Sequence, residues 1–185
     1  MRKGLDGFVL PPRMDYGRVF RVALRTVVED YDAGRFELIM EADLRSWLFR
    51  ACVAELERLG HPPPLPIHAE KPLRWGRRRP DLQLGPGPAE AVELKLQTTK
   101  GDSIFLKATG GKNSVQTDLQ KVRDYARRGT TGHFVLVEVD DGTTKDYYWR
   151  KTIPEAWIPK SEWSEGSRLA WAYHSVPAAP ELDRR

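Results

Sequence analysis

Between Pro80 and Gln97 two runs of alternating residues flank Gly85-Pro86-Gly87-Pro88, and no other feature narrows the fold as much. Period-two runs separated by a Gly/Pro turn predict a β-hairpin, and the turn sets the register. With the turn centred near Gly87, Asp81 opposes Glu93, Leu82 opposes Val92 and Leu84 opposes Glu90. Opposed residues of an antiparallel pair share a face. One face therefore carries Asp81, Gln83, Glu93, Lys95 and Gln97, and the other carries Leu82, Leu84, Val92, Leu94 and Leu96. Two directly opposed carboxylates repel, which a plain solvated face has no reason to arrange. A divalent cation between them would turn that repulsion into binding energy, and Mg²⁺ takes hard oxygen donors together with water and phosphate oxygens. Lys95 follows Glu93 on the same face one pleat further on, where a compact ammonium would hold a water or a phosphate.

Helical patterns precede the hairpin. Met40, Leu44, Trp47, Leu48, Ala51, Leu56 and Leu59 recur at three- and four-residue steps and predict a helix from about Arg35 to Leu59. Asp32 is the expected N-cap, and Gly60-His61-Pro62-Pro63-Pro64 is the stop. A weaker helical pattern covers Tyr16 to Tyr31, and Leu65 to Leu73 reads as a short strand broken by Pro66 and Pro72. After the hairpin, Thr98 to Gly111 reads as a polar loop with a strand at Ser103 to Lys107. Asn113 or Ser114 caps a helix to about Arg128, with Val115, Leu119, Val122 and Ala126 as its stripe and Gly129 as its end. His133 to Val139 is a continuous apolar run, the mark of a buried central strand. Asp140-Asp141-Gly142 is a turn before a strand at Tyr147 to Lys151. The expected order is α-α-β-β-β-α-β-β, divided into an N-terminal helical extension (1–34), a core (35–151) and a Trp/Pro-rich C-terminal tail packed on the core (152–185).

Composition excludes several classes. The sole cysteine, Cys52, rules out an intrachain disulfide framework and a multi-cysteine zinc site; at four-residue spacing from Leu48 and Leu56 it reads as a buried helix residue. The four histidines show no metal-ligand spacing. No apolar run approaches the ~18 residues of a membrane span. The first residues lack the hydrophobic stretch of a secretory signal, so a cytoplasmic protein without membrane association is expected. The net charge of +4 permits an anionic partner without demanding one.

The hairpin residues resemble the signature of the PD-(D/E)XK nuclease superfamily, here Pro80-Asp81, eleven residues, then Glu93-Leu94-Lys95. The resemblance runs from about Glu41 to Val139. It implies an α/β (α+β) fold with a restriction-endonuclease-like core: a central mixed β-sheet flanked by helices in the order α-β-β-β-α-β. The aspartate would open the second strand and the Glu-x-Lys would lie on the third. It also implies a nuclease that cuts phosphodiester bonds, DNA being the expected substrate, as an endo- or exodeoxyribonuclease leaving 5′-phosphate and 3′-hydroxyl ends. Mg²⁺ or Mn²⁺ would be held by Asp81, Glu93, the carbonyl of Leu94 and Glu41, while Lys95 orients or deprotonates the attacking water. Gln97 matches a glutamine found two residues after the lysine in several branches. Asp118-Leu119-Gln120-Lys121 resembles a helix motif that makes Asp118 and Lys121 supporting residues. Cutting both strands would suit a homodimer.

Lys71, Arg74, Arg77, Arg78 and Arg79 run up to Pro80 with no acid between them, which suits a phosphate backbone. Trp75 within the run reads as sheet cover. Each assignment has a plainer counterpart. Asp81, Glu93 and Lys95 also suit an ion-paired surface hairpin. Glu41, with Glu37 as its substitute, suits a helix first turn. Asp118 and Lys121 suit an i,i+3 ion pair. A catalytically inactive nucleic-acid-binding or protein-interaction module of the same fold is the alternative function. An immunity-type protein is disfavoured, since such proteins tend to be acidic mimics of nucleic acid.

Overall fold

The computed structural model describes residues 14–73, 78–86, 89–98, 114–139, 158, 163–165 and 168–180. The chain forms an α+β fold with a six-stranded mixed sheet between helices. Helix α1 (Tyr16–Asp32) begins at Asp15, whose carboxylate accepts the Arg18 N–H at 2.8 Å. The pattern that read as weak buries Val19, Phe20, Ala23, Leu24, Val27 and Val28, so α1 belongs to the same apolar cluster as the sheet. Helix α2 (Glu41–Arg58) starts six residues later than its periodicity suggested. Asp32 does not cap it; Asp32 ends α1 and accepts the Arg168 N–H at 3.1 Å. The α2 N-terminus is held instead by Asp43, whose carboxylate accepts the N–H groups of Ile39 and Met40 at 3.0 and 2.9 Å. Only Leu44, Leu48, Cys52 and Leu56 of α2 are fully buried. Met40 and Leu59, read as part of that face, lie just outside the two helix ends and are exposed. Gly60, at φ +74°, ends the helix in the left-handed conformation that a side chain would resist.

Strands β1 (Ile67–Ala69), β2 (Leu82–Leu84) and β3 (Glu90–Thr98) follow, then α3 (Ser114–Arg127), β4 (Thr131–Val139), β5 (Trp163–Glu165) and β6 (Leu169–Val176). The sheet order is β1-β2-β3-β4-β6-β5. Among the described residues only β3 and β4 pair in parallel, as the long α3 crossover between them allows. The hairpin pairs Leu82 with Val92 and Leu84 with Glu90, in the register that the turn length set. β1 is shorter than the Leu65–Leu73 expectation, because Pro66 precedes it and Glu70 leaves it at a positive φ of 49°.

Residues of β3 and β4 alternate between two covered faces. Val92, Leu94, Leu96, Val135 and Val137 join the α1/α2 cluster, while Phe134 and Leu136 meet Val115, Leu119 and Val122 of α3. The polar hairpin face is therefore not a solvated one. Gln83, Glu93 and Gln97 are 4%, 2% and 7% exposed. Gly132 lets α3 lie this close, since a Cβ there would fall 2.5 Å from the Val122 carbonyl oxygen. The stretch read as a tail contributes β6, which pairs with β4 from Gly132↔Val176 to Val139↔Leu169. The anticipated strands at Ser103 to Lys107 and Tyr147 to Lys151, and Asn113, lie outside the described residues, as do Arg74, Trp75 and Arg77. Among the described residues no helix is long and apolar enough to cross a membrane.

Candidate active site

Four elements meet at the start of β2. Glu41 opens α2, Asp81 immediately precedes β2, Glu93 and Lys95 lie on β3, and Asp118, Lys121 and Tyr125 share one face of α3 at helical spacing. Their side chains alternate in charge. Glu41 Oε2 is 3.1 Å from Lys95 Nζ, and Lys95 Nζ is 2.8 Å from Asp118 Oδ2. Asp118 Oδ1 is 2.6 Å from Lys121 Nζ, which is in turn 3.0 Å from Glu93 Oε2. The Tyr125 hydroxyl donates to Glu93 Oε1 and closes the series.

Asp81 stands at the strand end. Its Oδ2 accepts the Leu94 N–H at 2.7 Å, and its Oδ1 is 3.5 Å from Arg45 Nη1. Arg45 also reaches Glu70 at 2.7 Å. In a strand the N–H and C=O of one residue point the same way, so the Leu94 carbonyl faces the same edge as Asp81. The expected juxtaposition of bare carboxylates is replaced by a divided one: Asp81 is compensated by Leu94 and Arg45, Glu93 by Lys121 and Tyr125.

Burial sets the electrostatics. It raises the Asp81 and Glu41 pKa values, against the pull of the Leu94 N–H on Asp81 and of Lys95 on Glu41. It pushes Glu93 from 4.5 up to about 7, opposed by Lys121 and the Tyr125 hydroxyl and reinforced by Asp118. Burial alone would lower Lys95, but Asp118 and Glu41 outweigh it and raise the pKa above the usual lysine value. Lys95 is thus held as an ammonium between two carboxylates.

The Glu93 shift has a consequence for stability. Between pH 4.5 and about 7 the folded protein keeps a proton that the unfolded chain has released, so this group's contribution falls as pH rises through that window. Glu93→Gln mimics the protonated form. Metal-free Glu93→Gln is expected to be more stable than wild type above pH 7, by on the order of 2 kcal/mol, with the gain fading toward pH 4.5. Urea melts at several pH values check this, and a gain independent of pH would contradict it.

The donor set fits a hard divalent cation in kind: carboxylates of Asp81 and Glu93, the Leu94 carbonyl and the nearby Glu41. Among the described residues, however, no three carboxylate, imidazole or thiol groups converge on one point. Ammonium groups stand between the acids.

The remaining residues named from the sequence divide. Gln97 is buried on the Glu93 and Lys95 face of β3. Arg78 and Arg79 line a cleft of about 290 Å³ with Thr117, Gln120, Lys121 and Tyr125, so the cleft reaches the two partners of Glu93. Arg78 is also tied to Asp124 at 2.8 Å. Lys71 is absent from that cleft, with its Nζ 3.1 Å from His68 Nε2. A larger cavity of about 720 Å³, lined by Tyr16, His61, Glu90 and Thr131 among others, includes none of these site residues. Arg45 and Tyr125 escaped sequence reasoning, although Arg45 lies four residues after Glu41 and Tyr125 seven after Asp118, each on its neighbour's helix face. Comparison with family models, with curated proteins and with solved structures found no match.

Proposed function

We propose that this chain is a metal-dependent nuclease of the PD-(D/E)XK type that hydrolyses phosphodiester bonds, with DNA as the expected substrate. The observation that carries the reading is one cluster. Asp81, Glu93 and Lys95 stand with Glu41 and Asp118 at the start of β2, beside a cleft flanked by Arg78 and Arg79. The succession α2-β1-β2-β3-α3-β4 supports a restriction-endonuclease-like core. Asp81, Glu93, the Leu94 carbonyl and Glu41 would hold Mg²⁺ or Mn²⁺. Such an ion, when bound, lowers the pKa of a water and neutralises charge building on phosphate oxygens. Lys95 supplies a fixed positive charge, held in place by Glu41 and Asp118, that stabilises the negative charge of the transition state. Gln97 and Tyr125 hold the face on which these groups sit, and Lys121 links it to the cleft.

A second reading has its own support: every acid of the cluster already has an N–H or cationic partner, so none of them stands bare without metal. A catalytically inactive nucleic-acid-binding module would need nothing more. Calorimetric titration with Mg²⁺ separates the two. Wild type is expected to bind the ion and Asp81→Asn to bind it at least tenfold more weakly, whereas absence of binding to wild type both without and with duplex DNA favours the inactive module.

The arginines make a separate prediction. Arg78→Ala with Arg79→Ala is expected to flatten the slope of log affinity for DNA against log salt by about one to two units, at ~0.9 per lost phosphate contact. An unchanged slope would leave the two as ordinary solvated residues.

A further inference from the structure

Lys121 and Lys95 both neutralise Asp118, yet their settings differ. Lys95 is 15% exposed and enclosed by Glu41 and Asp118. Lys121 is 36% exposed, spans Glu93 and Asp118, and lines the cleft that Arg78 and Arg79 flank. The two acids it neutralises are 3% and 4% exposed. Lys121 is therefore the one cation of the series with a path outward, and its flexible four-carbon stem allows the ammonium to move while its backbone stays in α3.

We propose that Lys121 is an exchangeable counter-ion that couples nucleic-acid binding to divalent-metal binding. This rests on the nuclease reading above. An incoming phosphate backbone, received by Arg78 and Arg79, draws the Lys121 ammonium out of the Glu93–Asp118 pair. Withdrawal on its own is unfavourable, because it leaves two buried carboxylates with too little positive charge. Metal entry on its own is also unfavourable, because the ion must displace an ammonium already there. Together the two events compensate each other: phosphate takes the ammonium and the metal takes Glu93. Linkage makes the effect reciprocal, so DNA raises metal affinity by the factor by which metal raises DNA affinity. Such a device would keep the site poorly charged with metal until substrate arrives. Lys121 is accordingly a positioning residue, acting through Glu93.

The test is calorimetric titration of Mg²⁺ into full-length protein, alone and saturated with duplex DNA whose phosphorothioate backbone resists cleavage. In wild type, DNA is expected to raise Mg²⁺ affinity about tenfold. In Lys121→Gln, Mg²⁺ affinity without DNA is expected to rise several-fold and the DNA effect to shrink toward unity. Lys121→Arg, which retains a mobile cation, should retain the coupling. Thermal melts establish that each variant is folded. Mg²⁺ and DNA binding independently in wild type, or Lys121→Gln coupling as strongly as wild type, overturns the inference and leaves the nuclease reading standing. Failure of wild type to bind Mg²⁺ under either condition overturns both.

Discussion

Asp81→Asn, Glu93→Gln and Lys95→Gln are each expected to slow phosphodiester cleavage by at least ~10²-fold while the protein stays folded. Amide replacements suit these sites because the groups are buried or half-buried: Glu93 is 2% exposed, and a truncation would leave its partners facing a void. Glutamine at 93 still accepts the Tyr125 hydroxyl, and asparagine at 81 still accepts the Leu94 N–H, so the strand end is preserved. What each variant loses is charge. At 81 and 93 that is the charge that attracts a cation, and at 95 it is the charge that meets the transition state. Single-turnover cleavage with a parallel melt measures both properties. Wild-type cleavage by any one folded variant would remove that residue from the active site.

Asp118→Ala is expected to have the largest effect on stability. Asp118 is 4% exposed and holds Lys95 and Lys121 at 2.8 and 2.6 Å. Removing it leaves two ammonium groups close together, and breaking buried pairs in this way costs about 3–5 kcal/mol. Lys121 is partly solvated, so the lower end applies. About 3 kcal/mol corresponds to a fall in Tm of roughly 10 °C for a chain of this size. Asp118→Asn, which keeps an acceptor between the lysines, should lose less. Urea melts decide the matter, and a loss below about 1 kcal/mol would mean that solvent already screens the network.

The hairpin was legible because a Gly/Pro turn between alternating runs constrains register locally, and Leu82↔Val92 follows from residues only ten apart. The grouping of Glu41 with the hairpin face was legible only through the resemblance, which implied a first-helix acid at the site; the 3.1 Å contact with Lys95 is what the structure adds. What a hairpin cannot reveal is what covers it. That the polar face is buried was not legible, because nothing local indicates that α3, entering after a long connection, lies upon it. Arg45 and Tyr125 were missed for the same reason: their partners Asp81 and Glu93 lie 36 and 32 residues away in sequence. β6 was missed although Leu169–Val176 alternates small Ala170 and Ala172 with Trp171 and Tyr173. Alanine carries too little strand preference for that alternation to stand out.

The most direct measurement is a cleavage assay of the purified wild-type chain on single- and double-stranded DNA and RNA. Each substrate is incubated with Mg²⁺, with Mn²⁺ and with EDTA, beside the Glu93→Gln variant. Cleavage of DNA that requires either cation, disappears in EDTA and is lost in Glu93→Gln is the predicted result. No hydrolysis of any substrate under any of these conditions, or hydrolysis that persists equally in EDTA and in Glu93→Gln, would contradict the assignment.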